Sequence, residues 1–152
     1  MAFLRATLAA EPRDMGRQLD ALLDKVQFFG GKIEELGSRG FVAIFGVEPT
    51  EDVVARSALA AMAMLRAAER ERRQGDSIYL VVYANEVSVG RIGTTVQLDA
   101  DARRQAWMLL EQVSGAARAG AILASRGAVL LLPRQFEFTP AEGATAGWPP
   151  IS

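Results

Sequence analysis

The chain has 152 residues, which is the length of one ordinary domain and enough to bury a hydrophobic core. Half of the residues are hydrophobic and 23% are charged, as is typical of a globular protein. The 17 basic and 18 acidic residues nearly cancel, so the composition does not indicate a nucleic acid partner or an anionic membrane surface.

The chain contains neither histidine nor cysteine. This excludes Ser-His-Asp and Cys-His catalysis, thiolate chemistry and the usual zinc sites. No apolar run approaches the roughly 20 residues that a membrane-spanning helix needs, and residues 1–14 lack the basic leader and apolar length of a signal peptide. We therefore expect a cytoplasmic protein without membrane insertion.

Hydrophobic spacing predicts a strand, a helix and a hairpin in the first part of the chain. The short apolar stretch 2–8 is expected to form an edge strand. A helix follows from Pro12, because apolar residues recur at helical spacing between positions 19 and 29. Residues 32–36 and 41–45 then predict two strands, joined by a glycine-containing turn.

The remaining elements alternate between helices and strands. They are a helix opening at Pro49 and Thr50, a strand pair formed by 78–83 and 86–92, a helix over 99–113, a strand at 121–124, a short helix at 126–132 and a last strand at 135–139. The order β-α-β-β-α-β predicts an α+β fold with a ferredoxin-like core, in which helices pack on one face of a mostly antiparallel sheet. Gly, Ala, Pro and Thr dominate after residue 139, so we expect one domain over 1–139 and a flexible tail or linker over 140–152.

Five segments resemble the class III adenylate/guanylate cyclases. FFGGKIEELG at 28–37 and GFVAIFG at 40–46 are similar to the β2–β3 hairpin of that family. NEVSVGRIG at 85–93, GAILAS at 120–125 and FEF at 136–138 follow in the family's order. Glycine-bounded apolar strands are common, so no single segment identifies the family, whereas five segments in register indicate a cyclase-homology domain.

The resemblance implies substitutions at the metal-binding positions. The family holds two metal ions with two aspartates, one on the first strand and one in the hairpin turn, and these positions correspond to Arg5 and Arg39. A guanidinium group has no lone pair to offer a cation and would repel one. The two arginines could together bind an anion, although two solvated arginines at loop edges are the simpler interpretation.

The resemblance also implies changes at the positions that contact the nucleotide. Glu35 falls at the base-selecting lysine and Thr95 at a second base-selecting residue, while Ala102 and Ala106 fall at the ribose-orienting asparagine and the transition-state arginine. Loss of one charge donor from a phosphoryl-transfer site can cost several orders of magnitude in rate. We therefore expect no catalytic residue, no bound metal and no cofactor, and a pseudo-cyclase rather than an enzyme.

The predicted helix 99–113 has an apolar side formed by Trp107, Leu110 and Val113. Arg103 and Arg104 are accordingly expected on its exposed side rather than in place of the absent transition-state arginine.

Three classes of function stay open. The first is a dimerisation or regulatory module of a signalling protein, and the second is a non-catalytic nucleotide or anion sensor. The third is a cyclase that is active only with a complementary partner. The expected partner is a second copy or a related cyclase-type or kinase-type signalling domain, with no nucleic acid, and the candidate contact surface is the hairpin 78–92 and the neighbourhood of Trp107.

Overall fold

The computed structural model describes residues 1–46, 52–71, 75–84, 89–92, 95–98, 100–132 and 150–151. The strands in these residues are β1 Ala2–Ala9, β2 Lys32–Leu36, β3 Gly40–Phe45, β4 Ser77–Ala84, β5 Val89–Ile92, β6 Thr95–Leu98, β7 Ala121–Ala124 and β8 Pro150–Ile151. The helices are α1 Pro12–Phe28, α2 Val53–Glu71, α3 Ala100–Ser114 and α4 Arg126–Leu131. No helix in the described part of the chain combines the length and the apolar character needed to cross a bilayer.

The main sheet has the strand order β2-β3-β1-β4-β7-β8, and all its neighbouring pairs are antiparallel except β4 with β7. The predicted α+β fold and the predicted β2–β3 hairpin are therefore confirmed. The prediction of an edge position for the first strand is wrong, because β1 pairs with β3 on one side and β4 on the other. Phe3 and Leu4 point to opposite faces of β1 and both are fully buried, as a central strand covered on two faces requires.

The predicted pairing of 78–83 with 86–92 is also wrong. β1 and β7 already occupy both edges of β4, so β5 pairs with β6 in a separate two-stranded sheet. Residues 47–51, 85–88 and 135–139, which include parts of other predicted elements, lie outside the described residues. The tail over 140–152 stays a prediction, although Pro150–Ile151 pairs with β7.

Two apolar clusters cover the two faces of the main sheet. Helices α1, α2 and α4 pack on the face that contains Leu4 and Val82, as the prediction of helices against one face requires. Helix α3 instead packs on the opposite face, against a cluster that includes Phe3 and Val81. Of the helices in the described residues, α3 alone contributes to this cluster, and cavities remain beside β1 and the β2–β3 turn.

Candidate functional site

A groove runs along the part of β1 that α3 leaves open. One cavity of about 210 Å³ lies between β1 and the β2–β3 turn, and another of about 280 Å³ lies between β1, β4 and the end of α3. Arg5 and Thr7 line both cavities, so the two meet at these residues. We call this space the β1 groove, and its polar lining is formed by Arg5, Thr7, Glu35, Arg39, Tyr79 and Ser114.

The backbone holds the β2–β3 turn closely against the end of β1. The amide of Leu8 donates to the carbonyl of Arg39 at 2.7 Å, and the amide of Gly37 donates to the carbonyl of Gly40 at 2.9 Å. Gly40 has no side chain, which allows β3 to approach the backbone of Ala6. The turn that presents Arg39 is therefore fixed at the edge of the groove.

The strand register shows which residue of β1 lies nearest to this turn. Thr7 pairs with Gly40, the neighbour of Arg39, whereas Arg5 pairs with Val42 farther along the strand. Arg5 and Thr7 lie two residues apart on the same face of β1. Thr7 was not among the site residues predicted from sequence, although it lies closer in register to the turn than Arg5 does.

Arg5 is held by the end of α3 rather than surrounded by solvent. Its Nη1 donates to Oγ of Ser114 at 2.8 Å, and its Nη2 donates to Oε1 of Glu111 at 3.0 Å. The side chain of Arg5 is 26% exposed, whereas that of Glu111 is 72% exposed. Arg5 is thus a partly buried cation with one carboxylate partner on its solvent side.

The acidic residues of β2 contact α3 at another end of the groove. The indole Nε1 of Trp107 donates to Glu35, and Nε of Arg103 lies 3.4 Å from Oε1 of Glu34. The guanidinium of Arg103 also lies 4.4 Å from the centre of the Trp107 ring, in a cation–π contact. These contacts link β2 to α3 and give both carboxylates a partner.

The candidate residues predicted from sequence divide into three groups. Arg5, Glu35 and Arg39 meet at the β1 groove. Ala106 lies instead in the core beneath α3, where it is buried with Leu110 against the sheet. Thr95 lies on β6 and Ala102 on α3, and their side chains are outside the described part of the structure.

The prediction for the two sides of α3 agrees with the structure at Leu110 and Arg104, whereas Trp107 is only partly buried. Leu110 is buried and Arg104 is exposed, where it pairs with Asp101 at 3.5 Å. Arg103 differs, because its stacking on Trp107 leaves it only half exposed.

The charge of the groove is set mainly by its arginines. Within the described residues there is no group of three or more acidic, histidine or cysteine side chains placed to hold a metal ion. Arg39 is exposed and forms no ion pair with any described residue, whereas Arg5 shares its charge with Glu111. The groove therefore offers guanidinium and hydroxyl donors together with one carboxylate, Glu35, among the described residues that line it.

No protein-family model matches the chain, and no curated protein matches it by sequence. Solved structures do match. The catalytic core of a rhodopsin-guanylyl cyclase with converted specificity, in complex with ATPαS, has a TM-score of 0.75 at 12% identity, covering 99% of this chain and 94% of that chain. The adenylyl cyclase CyaB from P. aeruginosa has a TM-score of 0.69 at 15% identity, covering 99% of this chain and 91% of that chain. The fold is that of a class III adenylyl/guanylyl cyclase domain.

Cyclase domains with this fold have been solved in more than one assembly state. The guanylyl cyclase domain of the RhoGC fusion protein from Blastocladiella emersonii has a non-canonical dimeric structure and a monomeric one. Their TM-scores are 0.73 and 0.71, their identities 14% and 13%, and each alignment covers 99% of this chain and 92% of that chain.

The comparisons also correct one prediction. The expectation that this chain is not an enzyme is contradicted, because the domains that share its cyclase fold are adenylyl and guanylyl cyclases, which are enzymes. That expectation rested on residue types at single positions, such as Arg39, that were aligned by sequence alone. The cyclase-type fold that the resemblance implied is confirmed.

Proposed function

We propose that this chain is a cyclase domain that works as one member of a pair, and that it sets the activity of that pair. In this pair, a second cyclase domain supplies the carboxylates that bind the metal ions. The observation that supports the proposal is the lining of the β1 groove, which includes Arg5 and Arg39, the two residues that the resemblance aligns with the metal-binding aspartates.

The chemistry of divalent cations supports a partner as the source of these ligands. Mg²⁺ takes oxygen ligands and is usually anchored by one or two carboxylates together with phosphate oxygens. Arg5 and Arg39 offer no lone pair and carry the same sign of charge as the metal. Glu35 lines the same cavity and accepts from Trp107, and Glu111 accepts from Arg5.

The proposal also agrees with the extent of the shared fold. The alignment with solved cyclases covers 99% of this chain, so the elements that position the site are retained although the groove has a different charge. A domain with these elements can form the contacts of a cyclase pair.

The proposal is tested by titration against a cyclase domain of the same organism that keeps both metal-binding aspartates. The purified chain is added at increasing ratios, with ATP or GTP and either Mg²⁺ or Mn²⁺, and the cyclic nucleotide is measured. We expect the rate to change and to saturate at one chain per partner, with a mixed dimer detected by light scattering.

Two outcomes would contradict this proposal. One is that the chain alone makes cyclic nucleotide and that adding the partner does not change the rate per chain. The chain would then be a self-sufficient cyclase. The other is the absence of both a mixed dimer and any change in rate with every such partner.

A further inference from the structure

We infer that the β1 groove is a binding site for a phosphate group that needs no metal ion, and that Glu111 competes with this phosphate for Arg5. The ligand class is a phosphate oxyanion, either free or at the end of a nucleotide. The inference concerns this chain alone, so it does not depend on the proposed pairing.

The first support is the set of donors that line the groove. Arg5 and Arg39 approach it from β1 and from the β2–β3 turn, and Thr7 lies between them in register. Guanidinium groups bind phosphate through charge-assisted hydrogen bonds, and their planar fork suits two oxygens at once. A tetrahedral oxyanion has enough oxygens to meet both arginines and the hydroxyl of Thr7 together.

The second support is the space available. The cavities of about 210 and 280 Å³ meet at Arg5 and Thr7. A water molecule takes about 30 Å³ of liquid volume, so each cavity has room for a group several times larger. A phosphate or a diphosphate fits this space, with the hydroxyls of Tyr79 and Ser114 on its far side.

The third support is the distribution of charge. Arg39 makes no ion pair with any described residue, so its charge is available to a ligand. Glu34 and Glu35, the acidic residues nearest to it on β2, are engaged by Arg103 and Trp107. Glu35 keeps its negative charge, because the indole N–H of Trp107 is neutral, so the cavity between β1 and the turn is lined by two arginines and one carboxylate among the described residues.

Glu111 occupies the position of a competing ligand. Its carboxylate meets Nη2 of Arg5 at 3.0 Å, as an oxygen of a bound phosphate would. The side chain of Glu111 is largely exposed, and exposed ion pairs are weak, so a phosphate with greater charge displaces it. Arg5 keeps its contact with Ser114 during this exchange, which holds the guanidinium in place.

The experiment is calorimetric titration of the full chain with inorganic phosphate and with pyrophosphate, in the presence of EDTA. We expect binding in the absence of metal, weakened at least about fivefold by Arg39→Gln because one charged donor is lost. We expect Glu111→Gln to strengthen binding by about three- to tenfold, because the competing carboxylate is removed.

The ion pair between Arg104 and Asp101 provides matched controls. Both residues lie on α3, like Glu111, and both are exposed, but neither lines the groove. Arg104→Gln and Asp101→Asn change the net charge by the same amounts as the test variants. Each is expected to change the affinity by less than about twofold, as for an exposed charge distant from the ligand.

ATP and GTP, titrated without metal, distinguish the sources of the phosphate. Nucleotide binding that is tighter than pyrophosphate binding and is weakened by Arg39→Gln supports the inference and identifies a nucleotide. Equal affinity for pyrophosphate and nucleotide supports it and identifies the phosphate group as the part recognised.

The inference is overturned if millimolar phosphate and pyrophosphate give no binding, or if Arg39→Gln has no more effect than Arg104→Gln. Equal affinities of Glu111→Gln and Asp101→Asn for pyrophosphate would contradict the inference that Glu111 competes with the ligand for Arg5. The melting temperature gives a second measurement, since pyrophosphate should raise that of the wild-type chain and raise that of Arg39→Gln much less.

Discussion

A methyl group added at Gly40 would lie 2.1 Å from the carbonyl oxygen of Ala6, far inside van der Waals contact. The neighbour is backbone in a central strand and cannot rotate away as a flexible side chain would. The close approach of β3 to β1 at this residue therefore depends on glycine, and so does the position of the turn that presents Arg39.

Gly40→Ala is accordingly expected to lower the free energy of unfolding by about 1–3 kcal/mol, the usual cost of forcing additional volume into a packed site. Gly37→Ala in the same turn is the control. Its added methyl group would meet Gly40 at 3.7 Å, an ordinary contact, so the expected change is within about 0.5 kcal/mol. Urea unfolding measures the free energy of unfolding of both variants. Similar losses of stability in the two would show that any added methyl group in this turn is destabilising, and would contradict a specific role for the close approach at Gly40.

At the residue scale, the sequence predicted part of the candidate site. Glu35 and Arg39 could be located because the hairpin has a recognisable spacing, and both line the groove. The contacts of Arg5 with Ser114 and of Glu35 with Trp107 were missed, because they join residues far apart in the chain and depend on where α3 packs. The sequence did hold a signal for the contact between Trp107 and Glu35, since a buried indole N–H usually finds an acceptor.

At the scale of single elements, α4 begins at a serine with two hydrogen bonds. The Oγ of Ser125 accepts from the amide of Ala128 at 3.1 Å, which caps the helix, and from the amide of Ala84 at 3.2 Å, which joins it to β4. Ser125 is buried, so water cannot replace either bond.

Ser125→Ala is expected to cost about 1–3 kcal/mol of stability, because it removes a helix cap and leaves a buried amide without its acceptor. Ser57 in α2 is a matched control, since it is also buried but only donates to the carbonyl of Val54 within its own helix. Ser57→Ala should cost less than about 1 kcal/mol, because alanine favours the helix and no buried group loses its only partner. Thermal unfolding of the two variants is the measurement, and an equal loss would contradict the role given to Ser125.

The elements themselves were predictable to different degrees. Helices α1 and α3 were found because their apolar residues recur at helical spacing over several turns, a local property of the chain. The central position of β1 and the pairing of β5 with β6 were not predicted, because strand pairing is decided by residues that are distant in the sequence. β4 pairs with β1 and β7, and no local pattern in 78–92 indicates that both of its edges are taken.

At the scale of the whole molecule, the surface predicted for pairing needs revision. Residues 78–84 are buried in the sheet except for the partly exposed Tyr79, so they offer little apolar surface to a partner. Trp107 packs on Phe3 with a ring-centroid distance of 5.8 Å. Met108, which follows Trp107 on α3, remains 66% exposed. Several other large apolar side chains of the described residues are exposed, among them Leu130 of α4, which is 77% exposed and belongs to a helix on the opposite face.

We expect the chain to form a dimer through the α3 face, with at least about 1,000 Å² of surface buried in total. A carboxylate at the centre of such a contact would be desolvated without a partner, so Met108→Glu should reduce the mass measured by light scattering from two chains to one. Leu130→Glu places the same charge at an exposed apolar position on the other face and should leave the dimer intact. Loss of the dimer in Leu130→Glu alone would assign the contact to α4.

The central position of β1 also has a consequence for how the chain is made. In β1, Ala2 pairs with Phe45 of β3 on one side and with Ala84 of β4 on the other. Because β4 comes after β3 in the sequence, β1, β2 and β3 leave the ribosome well before β4 does. Until β4 follows, one edge of an apolar strand stays unpaired, and such an edge is a template for pairing with other chains. The nascent protein is therefore most exposed to misassembly while residues 46–84 are being synthesised. A pause in translation during this interval, or a shortage of chaperones, would lower the yield of folded protein more than the same pause later in the chain.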